Sequence, residues 1–109
     1  MGYLDLSNID LPPAPEPSGS YVPVVQTGSI LFTSGTGPRK SGQVMYCGKV
    51  GLDLSVEDGY AAARLCALNC LAMLNDYLGG LDRIRQIVKV VGYVNSGPGF
   101  TQQPAVVNG

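Results

Sequence analysis

The residues that could do chemistry are few, and the sequence contains no histidine, so the commonest general base and metal ligand is missing from the outset. The most suggestive stretch is Ser34-Gly35-Thr36-Gly37-Pro38, which follows an apolar run. It lacks the Gly-x-Gly-x-x-Gly spacing and the lysine of a phosphate-binding loop, and the segment after it reads as loop and strand instead of helix. As a strand end it has another use: glycine lets a ligand approach the main chain, and Ser34 and Thr36 offer hydroxyl donors and acceptors. The same residues also suit a tight turn. Tyr21, near the start of the first expected strand, is either an aromatic wall of a pocket or a packed strand residue. Cys66 and Cys70 stand one helical turn apart, but Cys47 is remote and no histidine completes a ligand set, so we read them as core thiols and expect no metal site. Neither cysteine has a neighbouring base that would make it a nucleophile. Arg39, Arg64, Arg83 and Arg85 read as surface charge.

The element best placed to support such residues is Ser55 to Gly80. Ser55 followed by Asp58 resembles a capping box, Glu57 and Asp58 suit the positive end of the dipole, and Gly79-Gly80 offers a left-handed stop. At 100° per residue, Tyr60, Ala63, Cys66, Ala67, Cys70, Leu71, Met73, Leu74, Tyr77 and Leu78 share an apolar half. Glu57, Asp58, Arg64, Asn69, Asn75 and Asp76 share the half expected to meet water. Leu65 and Leu68 stray into that polar half and are expected to be exposed or covered by a second helix.

Upstream, Met1 to Ser20 is punctuated by Pro12, Pro13, Pro15 and Pro17 and reads as an extended arm. Tyr21–Gln26 and Ile30–Ser34 flank a Thr27-Gly28-Ser29 turn and read as a hairpin, and Gln43–Val50 as a third strand. Downstream of the helix, Ile87, Val88, Val90, Val91 and Val94 predict a central strand over Arg83–Asn95, buried on both faces. Phe100–Gly109 begins a second helix, with Pro104 tolerated in its first turn. Strands followed by helices make an α+β domain, a mostly antiparallel sheet with helices on one face. The other face is then bare, which predicts a homo-oligomer.

The whole chain, 109 residues of which 45% are hydrophobic and 14% charged, is sized for a single domain, 1–109. A net charge of -1 with scattered Lys and Arg gives no basic surface for nucleic acid. No stretch approaches a membrane span and the N-terminus lacks the order of a signal peptide; with three cysteines read as reduced, the expectation is a cytoplasmic protein.

Several runs together carry a family resemblance. Pro12-Pro13-x-Pro, Gly19-Ser20-Tyr21-Val22-Pro23-Val24-Val25-x-Thr27-Gly28 and Ile30-Leu31-Phe32-Thr33-Ser34-Gly35 resemble the N-terminal signature of the YjgF/Rid family, the reactive-intermediate deaminases also labelled endoribonuclease L-PSP. The likeness continues through Gly48–Gly51, Ala62–Asn69 and Val88–Ser96 to Pro98-Gly99-Phe100, where it is similar to the chorismate-mutase-like subgroup. The resemblance implies a chorismate-mutase-like fold, a sheet backed by two helices, assembled as a homotrimer with small-ligand clefts between subunits. It implies hydrolysis of enamines and imines such as 2-aminoacrylate without a cofactor. It assigns Tyr21, Ser34 and Gly35 to the cleft, and with Thr36 these are the expected ligand-binding residues. The family's carboxylate-gripping arginine and water-positioning glutamate have no counterpart in the sequence, and the family's last strands are not expected in it, so no catalytic residue is assigned. Three functions follow: a hydrolase resembling 2-iminobutanoate/2-iminopropanoate deaminases, a non-catalytic trimer binding a keto- or imino-acid-like metabolite, and a ribonuclease implied by the family label alone.

Overall fold

The structure is a computed structural model and describes residue Leu6 and residues 9–109. The first part of the expected proline-rich arm, residues 1–5 and 7–8, lies outside the described residues. Among the described residues, two antiparallel ribbons and two helices make up the regular structure. In chain order they are β1 (Val24–Thr27), β2 (Ile30–Thr33), β3 (Arg39–Lys40), β4 (Gln43–Val44), α1 (Val56–Leu78), a 3-10 turn at Leu81–Arg83, and α2 (Gln103–Val107).

The expected hairpin forms. Val24 pairs with Thr33 and Thr27 with Ile30, leaving a two-residue loop in which Gly28 takes φ +59. Glycine at that first loop position matches the twist of the flanking strands. Side chains then alternate. Val24 is buried, Thr33 contacts Cys70 and Gln26 accepts from the Tyr77 hydroxyl at 3.0 Å, so this face lies on α1. Val25, Ile30 and Phe32, 48 to 60% exposed, make the opposite face bare, as the two-layer argument requires.

β3 and β4 pair across Ser41-Gly42, both at positive φ, which is the geometry of a primed two-residue turn. The third strand expected over Gln43–Val50 stops at Val44. Only Val50 pairs again, as a single residue bridging Leu54 on one side and Ser96 on the other. Gly48 at φ +130 turns the chain, and the Asp53 carboxylate accepts from the Lys49 amide at 2.9 Å.

Helix α1 starts and ends where its sequence signals stand. The Ser55 hydroxyl accepts from the Asp58 amide at 3.0 Å, the Asp58 carboxylate accepts from the Ser55 amide at 3.1 Å, and Gly79 closes the helix at φ +75. Such a cap contributes roughly 1 kcal/mol. Which face is buried differs from the wheel. Gly59, Asn69, Ala72 and Met73 are buried, whereas Ala67 is exposed and Tyr60 and Tyr77 are more than 40% exposed. The stripe is rotated toward Asn69, which the wheel placed in the half expected to meet water and which is the most buried side chain, with polar partners to meet. Leu65 and Leu68 are half-buried.

The expected central strand Arg83–Asn95 is not a strand. The segment carries no regular secondary structure, Val88, Val90, Val91 and Tyr93 are 60 to 94% exposed, and no backbone ladder holds it among the described residues. A strand covered on both faces needs neighbours, and none of the other described strands lies beside it. The chain then returns: the Val50 amide donates to Asn95 and the Gly97 amide to Val50, both at 2.9 Å. α2 follows with Pro104 in its first turn, as expected, and its Val106 packs beside Gly59 of α1. The core is thin, consisting of Val24, Val50, Ala72, Met73, Leu81, Ile84 and Val106. The radius of gyration, 14.7 Å, exceeds the roughly 13 Å of a closed domain of this length, in keeping with an open architecture.

Candidate functional site

Between the first ribbon, the loop that leaves it and α1 lies a cavity of about 490 Å³. Its floor comes from Asn69 and Met73 of α1, its rim from Arg39 and the Ser41-Gly42 turn, and its outer wall from Pro13–Ser18 of the arm. All four sequence-predicted residues, Tyr21, Ser34, Gly35 and Thr36, line it. A second cavity of about 490 Å³ shares the arm and Met73 and continues toward Asp76 and Tyr77.

The four residues differ in what they can still offer. Thr36 donates its hydroxyl to the Cys66 carbonyl at 2.9 Å and sits 3.5 Å from the Cys70 sulfur, so its proton is committed to the helix. Among the described residues the Ser34 hydroxyl has only a long contact to the Met73 sulfur at 3.9 Å, while the Ser34 amide donates to Pro23 at 2.8 Å. The amides of Gly35, Thr36 and Gly37 donate to none of the described residues. Tyr21 is half-exposed, and its hydroxyl accepts from the Ser18 amide at 3.2 Å, which ties the end of the arm to the first ribbon. The cavity lies on the helix side of the first ribbon, and α1 supplies part of its lining through Asn69 and Met73.

Asn69 explains how the loop is held. Its amide nitrogen donates to the carbonyls of Gly37 at 3.1 Å and Arg39 at 2.8 Å, and 1% of the residue is exposed. A mid-helix asparagine thus does for the loop what a ladder would do for a strand.

These are the surroundings against which the chain's relatives can be set. A family model described as "YjgF/chorismate_mutase-like, putative endoribonuclease" matches residues 3–109. The chain belongs to that family. Protein TCP17 of Trypanosoma cruzi is 42% identical over 101 residues, which cover 93% of this chain and 63% of that protein. Among crystal structures, the protein Atu1372 of unknown function from Agrobacterium tumefaciens superposes with a TM-score of 0.81 at 38% identity, covering 93% of this chain and 60% of the other. A "putative endoribonuclease" from Shewanella oneidensis gives 0.87 at 37% identity, with 92 and 66% covered. The chain therefore spans 60 to 66% of the length of these relatives.

Within this YjgF-family cavity, sequence reading missed Asn69 and Arg39. The signal for Asn69 was its position between Leu68 and Cys70, an amide amid apolar neighbours. For Arg39 it was adjacency to the glycine-rich segment. Cys66 and Cys70 sit beneath the Thr36 hydroxyl as half-buried thiols, and no group of three His, Cys, Asp or Glu that could hold a metal occurs among the described residues. Burial pushes the Cys66 thiol up, and the neighbouring Cys70 adds to the rise. A thiol whose pKa is raised by folding stabilises the folded state in its neutral form, and that contribution is lost as pH rises through the raised value. Because the thiolate is the nucleophile, iodoacetamide at pH 8 should label exposed Cys47 first and Cys66 last. Peptide mass spectrometry over time checks the order.

No helix among the described residues is long and apolar enough to cross a membrane.

Proposed function

We propose that the chain binds a small keto- or imino-acid-like carboxylate in this cavity and hydrolyses enamine or imine intermediates of the 2-aminoacrylate type. The observation that carries the reading is the gathering of Tyr21, Ser34, Gly35 and Thr36 around one cavity of about 490 Å³, a volume suited to a metabolite. In the reaction, the imine tautomer of 2-aminoacrylate takes up water at its C2 carbon. The carbon–nitrogen bond then breaks, giving pyruvate and ammonia. Unpartnered amides at Gly35–Gly37 and the loosely held Ser34 hydroxyl are suited to orient such a carboxylate or carbonyl oxygen.

A second reading, a metabolite-binding protein without catalysis, is favoured by one observation: the Thr36 hydroxyl proton is committed to Cys66, so the loop presents no evident proton donor–acceptor pair. In both readings the bare apolar face of Val25, Ile30 and Phe32 supports association as a homotrimer. Three free cysteines support a cytoplasmic setting. The ribonuclease named by the family description has less physical support, because the seven Lys and Arg are scattered and histidine is absent.

Freshly generated 2-aminoacrylate, with ammonia and pyruvate followed together, tests the proposal. The expected result is release above the rate in buffer, and in a thermal melt a higher midpoint with 2-oxobutanoate present. Binding without release selects the non-catalytic reading. No response to any carboxylate overturns both.

A further inference from the structure

We propose that Arg39 is the cationic anchor for the carboxylate of the cavity's ligand. The proposal rests on the small-carboxylate reading above and adds to it a named residue and a charge requirement. Two residues that carry a charge line the cavity, Arg39 on the rim and Glu16 on the arm. Among the described residues Arg39 has no ion pair and no side-chain hydrogen bond, so its guanidinium is not already committed to a protein partner. Glu16, of opposite sign, is not joined to it.

Most exposed arginines hold their charge on a mobile stem, and the backbone here is what sets this one apart. The Arg39 carbonyl accepts from buried Asn69 at 2.8 Å, and its amide donates to the Gly37 carbonyl at 2.9 Å. Asn69 holds the Gly37 carbonyl as well, so both ends of the short segment are pinned to α1. The residue after it, Lys40, pairs with Gln43 in the second ribbon. The stem of Arg39 therefore leaves a fixed point on the same rim as the unpartnered amides of Gly35–Gly37. A planar guanidinium meets a carboxylate through two parallel hydrogen bonds, and neighbouring backbone amides add donors of the same polarity. A neutral ligand can use the amides but gains nothing from the charge of Arg39. A ligand of opposite charge would be repelled by Arg39 and drawn to Glu16.

The test compares parent chain, Arg39→Gln, Arg39→Lys and Glu16→Gln by calorimetric titration with 2-oxobutanoate and with the uncharged analogue 2-butanone. Because the Arg39 side chain bonds none of the described residues, its variants should melt with the parent. The expected result is that Arg39→Gln weakens 2-oxobutanoate about tenfold, at the lower end of what a charged hydrogen bond contributes because the site is open to water. Arg39→Lys should recover part of that loss, and Glu16→Gln should leave binding unchanged or tighter. For 2-butanone, Arg39→Gln should bind as the parent does. Equal affinity of parent and Arg39→Gln for 2-oxobutanoate overturns the anchor while leaving the cavity's function standing. Failure of the parent itself to bind 2-oxobutanoate overturns the small-carboxylate reading, and the anchor with it.

Discussion

An Asn69→Leu variant should unfold with a free energy about 2–3 kcal/mol below that of the parent chain. Leucine has the branched outline of asparagine and is the better helix former, so neither shape nor propensity predicts a loss of that magnitude. The loss comes from the carbonyls of Gly37 and Arg39, which the Asn69 amide satisfies at 3.1 and 2.8 Å from a position that is 1% exposed. Removing a donor from a part-buried acceptor costs roughly 1–3 kcal/mol, and because the Gly37 carbonyl keeps the Arg39 amide at 2.9 Å, most of the loss falls on the Arg39 carbonyl. Asn69→Asp separates this cause from packing. At neutral pH it sets a carboxylate against two carbonyl oxygens and should be at least as destabilising. Burial and those oxygens raise the introduced carboxyl's pKa in the folded state, so part of the stability should return as pH falls through that raised value and the group becomes a donor. Urea unfolding of both variants at pH 7 and pH 5 checks the prediction. A leucine variant as stable as the parent would mean that water holds the loop carbonyls equally well.

Gly51→Ala is expected to cost about 2–4 kcal/mol. Gly51 takes φ +85, and a Cβ built on it would lie 2.5 Å from Cδ1 of Phe100. The left-handed backbone alone accounts for roughly 1 kcal/mol, and displacing the half-buried ring adds a further 1–3 kcal/mol. Gly28→Ala is the matching control. Its φ is +59, but nothing lies within 4 Å of the added methyl, so it should show the backbone contribution alone. The difference between the two melting midpoints measures the packing of Phe100 against the Val50 crossing. Equal shifts would mean that the ring moves aside freely.

How much of this was legible in the sequence depends on where each element's determinants lie. Ser55, Asp58 and Gly79 sit within the stretch they delimit, so the ends of α1 could be read directly. The same holds for the loop glycine at position 28. Arg83–Asn95 is the opposite case. Its valines express a preference for being covered on both faces, but covering is a property of neighbours, and a local pattern cannot supply them. Asn69 failed for a related reason: a polar residue counts as water-facing only if no buried carbonyl needs it. For the cavity, Tyr21, Ser34, Gly35 and Thr36 were reachable from the glycine-rich run and the family resemblance. Arg39 and Asn69 became visible once the loop was folded onto the helix.

Val50 joins Leu54 on one side and Ser96 on the other, and that single residue closes a ring. α1, the 3-10 turn and the exposed valine-rich segment all lie on the circumference. The entropy of closing such a ring grows only with the logarithm of its length, so a long unladdered arc adds little to the cost of closure. The segment 84–95 acts as a strap, and its fastening at Val50 couples the start of α1 to the arrival of α2. Loosening the clasp at Val50 would release Val106 from Gly59 and free both ends of the arc together.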